Sequence, residues 1–270
     1  MSNCGITSIE EFAFDQLRYL GELVLNYNLL TELPQLKKTM VFVTITAKGN
    51  MISKVSPNLF PIGSLIRNID LSHNLLSDVE TANSVVLKEL PVLEKLDLSD
   101  NGISSLDVIQ LKSAPVKQLG LEQNQLYSPL DFSKFTSLYL LNLASNSISE
   151  LPIFPESLEI LSLNNNQLNG SKLVFPALNL KEVYLSGNRF EALNSMAFIN
   201  LANVSVITLL DNGLASYDLQ LKKIANVRVD EKVALTINGI NMTPHVPRVV
   251  YQRLLDLQNA LTFEDSTDSA

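Results

Sequence analysis

The stretch Leu93-Glu94-Lys95-Leu96-Asp97-Leu98-Ser99-Asp100-Asn101-Gly102-Ile103 decides the fold. Its apolar anchors stand at 93, 96, 98 and 103, and an Asn stands at 101. The Leu96-x-Leu98 alternation reads as a short strand with one face turned inward. The Asn falls where that strand must bend into a loop. Its amide donates and accepts at once, so it can serve the backbone groups that the bend exposes. The same spacing recurs at Leu20, Leu23, Leu25, Asn28 and Leu30, and at Ile66, Ile69, Leu71, Asn74 and Leu76. It returns at Val116, Leu119, Leu121, Asn124 and Leu126, and at Leu138, Leu141, Leu143, Asn146 and Ile148. Three more copies place Asn166, Asn188 and Asn212 in the Asn slot, and a weaker one runs through Phe42, Ile45, Ala47, Asn50 and Ile52. All four apolar slots are filled in all nine copies, which a 46% hydrophobic composition does not produce by chance. A tenth copy is cut short, with Cys4 in the Asn slot and Ile6 in the last apolar slot.

This pattern resembles the leucine-rich-repeat family, whose motif recurs every 20–29 residues. The resemblance covers roughly residues 1–215. It implies an α/β leucine-rich-repeat solenoid, a horseshoe of about ten repeats with a parallel β-sheet on its concave face. Physics agrees: one coil cannot bury its own apolar face, so successive coils must stack. The return segments differ among themselves. Phe14/Leu17 and Phe198/Leu201 resemble the phenylalanine spine of the common 24-residue repeat, and Leu151-Pro152 with Pro155 predicts an extended return. The longest interval, from 74 to 101, leaves room for one helix between Asp78 and Leu90. The domain reading is a solenoid over 1–214, a degenerate last repeat and C-terminal cap over 215–261, and a disordered acidic tail over 262–270. Asn238-Gly239 between Val233–Ile237 and Ile240–Met242 signals a hairpin inside that cap. Val250, Leu254, Leu257 and Leu261 keep helical spacing beyond it.

The repeat accounts for the composition. Of 270 residues, 49 are Leu and 26 are Asn, and both types fill fixed slots. So apolar a chain is not bulk-disordered, and no apolar run approaches the ~18 residues of a membrane span. Twenty Lys and Arg against 28 Asp and Glu give net −8, which argues against gripping nucleic-acid phosphates or an anionic membrane. A single Cys excludes an internal disulfide. The uncapped first copy suggests a chain that is part of a longer one. A complete chain points to the cytoplasm, and a receptor fragment to the cell surface.

Chemistry is sparse. His73 and His245 lie far apart in the repeat order, and neither a zinc, redox nor phosphate-loop motif is present. His73, beside Asn74, reads as a rim residue, and Cys4 has no local His to activate it. Asp97-x-Ser99-x-Asn101-Gly102 begins like a calcium loop, but its twelfth position is Val108, where a bidentate Glu is required. The sequons at Asn169, Asn203 and Asn241 are no more than chance supplies. No enzyme, metal or cofactor is expected.

What remains is the sheet face opposite the core, whose residues lie two, four and six places before each Asn. There the middle repeats carry Asp70, Asp97, Asp100 and Glu122, with Lys95 as the nearby counter-charge. Like charges on adjacent strands repel, so structure alone gives no reason for Asp70 beside Asp97. The later repeats place Leu140, Ile160, Tyr184, Val206 and Leu210 on the same face, where they are expected to meet water and anchor a contact. The expected function is a non-catalytic binding module, a scaffold or signalling part. Its partner would be a protein or peptide with basic and apolar features, not a nucleic acid, and nothing in this segment would insert in a membrane. The alternative is the ligand-binding outer part of a receptor or receptor-like kinase.

Overall fold

The structure, a computed structural model, describes residues 1–242 apart from 12, 15, 18, 37–42, 57–58, 61–62, 78–84, 88–89, 112–113 and 224–225. The helical spacing after Pro247, His245 and the acidic tail lie outside the described residues. Two compact units divide the chain between Gln125 and Leu126.

In the first unit each repeat contributes a three-residue strand: β1 (Glu22–Val24), β2 (Thr44–Thr46) and β3 (Asn68–Asp70). Then come β4 (Val85–Leu87), β5 (Lys95–Asp97), β6 (Ile109–Leu111) and β7 (Gln118–Gly120). The order β1-β2-β3-β5-β7 is parallel throughout, each strand in register with the next. Strands β4 and β6 pair separately, Val85 with Ile109. Val85–Leu87 is therefore extended where the long interval left room for a helix. Pairing with Ile109–Leu111 satisfies the backbone of both segments, which a helix on one alone would not do.

The second unit repeats the plan with β8 (Leu140–Asn142), β9 (Ile160–Ser162), β10 (Glu182–Tyr184) and β11 (Val206–Thr208). After β12 (Ser216–Leu219), strand β13 (Asn226–Arg228) joins β11 in parallel, so a last imperfect turn extends this sheet. Strands β14 (Ala234–Ile237) and β15 (Ile240–Met242) form an antiparallel hairpin, and β14 pairs with β12. The hairpin turns on Asn238 and Gly239, both at positive φ (51° and 78°), as a two-residue primed turn requires. Helix is nearly absent: the described residues hold two short 3-10 turns, Leu106–Val108 and Gly170–Lys172. The result is a parallel-sheet β-solenoid.

Inward slots build the core. Ile45, Ile69, Leu96 and Leu119 in the first unit, and Leu141, Leu161, Val183 and Ile207 in the second, are fully buried. Each is worth roughly 1.5–3 kcal/mol relative to an exposed side chain. Behind the second sheet Phe175 and Phe198 stack with ring centroids 5.6 Å apart, so Phe198 does serve as spine. Phe14 is buried as well.

The Asn slots form a hydrogen-bonded column within each unit. Asn74 is typical: its Nδ2 donates to Ala47 O at 3.0 Å and Leu71 O at 3.0 Å, while its Oδ1 accepts Ile52 N at 3.0 Å. Asn166 does the same in the second unit with Leu143 O, Leu163 O and Ile148 N. In the truncated copy Asn28 supplies the bonds instead, accepting Cys4 N and Ile6 N and donating to Met1 O. The residue before every Asn slot is left-handed: Tyr27, Gly49, His73, Asp100, Gln123, Ser145, Asn165, Gly187 and Asp211 all have φ between 50° and 72°. Asn3, before Cys4, shares it (φ 54°). This conformation turns the strand's end so that the Asn side chain points back into the coil.

Candidate functional site

Because neighbouring strands are in register, residues at the same slot form rows across each sheet. The middle row of the first unit runs Val24, Thr46, Asp70, Asp97, Gly120. Asp70 stands directly opposite Asp97, and the two are 2% and 4% exposed. Asp70 Oδ1 accepts Ser72 N at 2.9 Å and Asp97 Oδ1 accepts Ser99 N at 2.9 Å. Burial, together with the charge of Asp97, raises the Asp70 carboxyl from its ordinary value to about 7, against the pull of the Ser72 N–H and Lys48. Burial also raises Asp97, while Ser99, Lys48 and His73 draw it down. Partial burial lowers Lys95 below the usual lysine range, opposed by the charge of Asp97.

Gly120 makes room for this pair. A Cβ there would lie 2.5 Å from Asp97 Oδ1 and 3.0 Å from Ser99 Oγ. Glu122 and Asp100 are half-buried nearer the edge, and Asp100 pairs with His73 Nδ1 of the preceding turn. The structure places Asp70 and Asp97 side by side on adjacent strands. What the sequence reading missed is their depth: the centre of this row is closed, and water reaches Asp100 and Glu122 instead.

The second unit corrects the expectation more strongly. Its rows run Leu140, Ile160, Glu182, Val206, Asn226 and Asn142, Ser162, Tyr184, Thr208, Arg228. Leu140, Tyr184 and Val206 do not stand open to water; they are 3%, 1% and 9% exposed. Large side chains about 4.8 Å apart on parallel strands close over one another. Tyr184 also lies against Glu182, donating its hydroxyl to Glu182 Oε2 at 2.5 Å. Ile160 and Leu210 remain half-exposed and are the apolar residues this face offers.

One feature escaped the sequence reading. In the first three full turns of the first unit the residue directly after the Asn is apolar and exposed: Leu29, Met51 and Leu75, at 49%, 46% and 55%. Tyr27 adds an exposed ring lying over Gly49. The signal was three large apolar residues in a slot that elsewhere holds Gly102, Gln125, Ser147, Gln167, Arg189 and Gly213. Among the described residues no group of three or more His, Cys, Asp or Glu is placed to hold a metal ion. Nor is any helix among them long and apolar enough to cross a membrane.

Comparison with known proteins agrees with this architecture. The Leucine Rich Repeat family profile matches residues 92–113. The chain is 28% identical over 225 residues to Toll-like receptor 2 of Capra hircus, an alignment covering 76% of this chain and 28% of the receptor. It is 30% identical over 158 residues to human leucine-rich repeats and immunoglobulin-like domains protein 3, covering 58% of this chain and 12% of that protein. The chain thus spans little more than a quarter of the Toll-like receptors it matches. Among solved structures, the leucine-rich repeat domain of APL1B superposes with a TM-score of 0.61 at 20% identity, covering 87% of this chain and 70% of that one. The TLR13–ssRNA13 complex gives 0.51 at 21% identity, covering 81% and 42%.

Proposed function

We infer a binding function from the premise that this chain is a leucine-rich-repeat protein: it is a non-catalytic module that takes a protein or peptide through the strand faces of its units. The observation that carries this reading is the Asp70–Asp97 pair. Two buried carboxylates side by side cost folding energy, because burial and like charge both oppose ionisation. A scaffold selected for stability alone has no use for them. Above them, Asp100 and Glu122 offer negative charge to a basic partner. Leu29, Met51 and Leu75 on the first unit, and Ile160 and Leu210 on the second, offer apolar contacts. Exposed apolar residues bordered by polar ones are the usual anchors of protein contacts.

The test is retention of partners by the immobilised 270-residue chain, with bound proteins identified by mass spectrometry. Glu122→Lys and Leu210→Glu change the proposed faces; Glu156→Lys, on an exposed return segment, is the control. Loss of the same partner in the first two but not the third supports the reading. Equal retention in all three overturns it. The similarity to Toll-like receptor 2 favours a second reading, in which this segment is part of the ligand-binding region of a receptor. Net charge −8 weighs against an RNA ligand, although TLR13 was solved with one.

A further inference from the structure

We propose that Asp70 and Asp97 hold a single proton between them and form a proton switch on the first unit's binding face, making that face more anionic as pH rises. The proposal rests on the binding reading above for its consequence, but its geometry stands alone. The two carboxylates occupy one register position on adjacent parallel strands, are nearly closed to water, and each accepts a backbone N–H. Neither takes part in an ion pair among the described residues. Two carboxylates so placed oppose one another's ionisation, so the pair gives up its second proton less readily than an isolated carboxyl.

Their surroundings are built for two states. On one side Thr46 is in register with Asp70, and its buried hydroxyl has no hydrogen-bond partner among the described residues, leaving a donor for the anionic form. On the other side Gly120 removes any side chain that would crowd Asp97. The charged groups around the pair are Lys48 from the turn after β2, His73 from the turn after β3, Lys95 on β5, Asp100 after β5, and Glu122 after β7. Lys48 favours ionisation of both carboxyls, and His73 favours that of Asp97. Lys95 sits beside Asp97 on its own strand. His73 is already engaged by Asp100, and Glu122 adds charge of the same sign. A cationic side chain arriving at this face would stabilise the doubly ionised pair and expel its proton. Affinity for a basic partner then rises with pH.

The experiment uses the full chain with 13C-carboxyl aspartate, titrated by NMR. The expected result is one carboxyl titrating near neutrality. In Asp97→Asn, which keeps an oxygen for Ser99 N, that midpoint drops by at least one pH unit. Completion of both titrations below pH 5, or a midpoint unmoved by Asp97→Asn, overturns the shared proton. The consequence is read with an amphipathic peptide of alternating Lys and Leu. Its affinity should be at least fivefold higher at pH 8 than at pH 5.5. In Asp70→Asn/Asp97→Asn, folded by circular dichroism, that ratio should shrink at least threefold. An unchanged ratio in the double variant overturns the switch. Absence of peptide binding at either pH counts against the binding reading and not the proton pair, which the titration decides.

Discussion

The middle rows of the two units differ in one respect that matters. In the first unit the row's centre is ionisable, Asp70 against Asp97. In the second it is neutral through Asn142, Ser162, Tyr184 and Thr208. Tyr184 reaches Glu182, and Thr208 accepts from Ser186 Oγ at 3.1 Å. Both rows are equally closed to water, so burial alone does not dictate what the slot must hold. The same backbone accepts a hydrogen-bonded neutral row without penalty and a carboxylate pair at a cost. The first unit's carboxylates face one another, whereas the second unit's buried charges, Glu182 and Arg228, stand in different rows.

Core substitutions should fail to distinguish the units. Leu96→Ala and Leu161→Ala each remove a fully buried side chain and should each destabilise by about 3–5 kcal/mol in urea unfolding. A large inequality between them would break the claim that both units are built alike. The Asn column gives the next largest effect. Asn74→Ala and Asn166→Ala strand buried backbone carbonyls and an N–H, costing about 2–3 kcal/mol each.

The units should separate at the middle row. Gly120→Ala forces a Cβ against the Asp97 carboxylate and should cost about 1–3 kcal/mol. Ser162→Ala, in the equivalent neutral row, removes a buried hydroxyl without adding a clash and should cost less than Gly120→Ala. Equal effects would remove the distinction. The smallest effects belong to the exposed ion pairs at the strand entrances. Lys117 meets Glu94 at 3.1 Å in the first unit and Lys181 meets Glu159 at 2.7 Å in the second. Replacing either Lys with Ala should cost under about 0.5 kcal/mol, since exposed pairs contribute little.

The repeat itself was legible because a period shared by nine copies overrides local ambiguity. Leu96, Leu98 and Asn101 announced strand, core and bend without any coordinates. The Asn238-Gly239 hairpin was equally plain, since few residues tolerate two successive positive φ angles. The strand at Val85–Leu87 was not, because a lone three-residue strand has no periodicity and its partner lies 24 residues away. Depth on the sheet face was misread for a different reason. Slot position says which way Leu140 and Tyr184 point, but not how far their neighbours close over them. Asp70 beside Asp97 was visible as an anomaly, and only the register and burial turn it into a shared proton. The left-handed slot before each Asn was foreshadowed by Gly49, Asn165, Gly187 and Asp211, although Tyr27 and Gln123 disguise it.

The most direct test compares wild type with Asp97→Asn in urea unfolding at pH 5.5 and pH 8.0. A carboxyl whose folded value lies above its unfolded one keeps its proton in the folded state where the unfolded state has lost it. Folding is therefore stabilised toward acid, and that stability is lost as pH rises through about 7. Wild type should be about 1–2 kcal/mol more stable at pH 5.5 than at pH 8.0. Asp97→Asn should lose part of that difference, the part due to the Asp97 charge while burial of Asp70 remains, and be the more stable protein at pH 8.0. A wild type no more stable at pH 5.5 than at pH 8.0, or a variant with the same pH dependence, would contradict the shared proton on which this account turns.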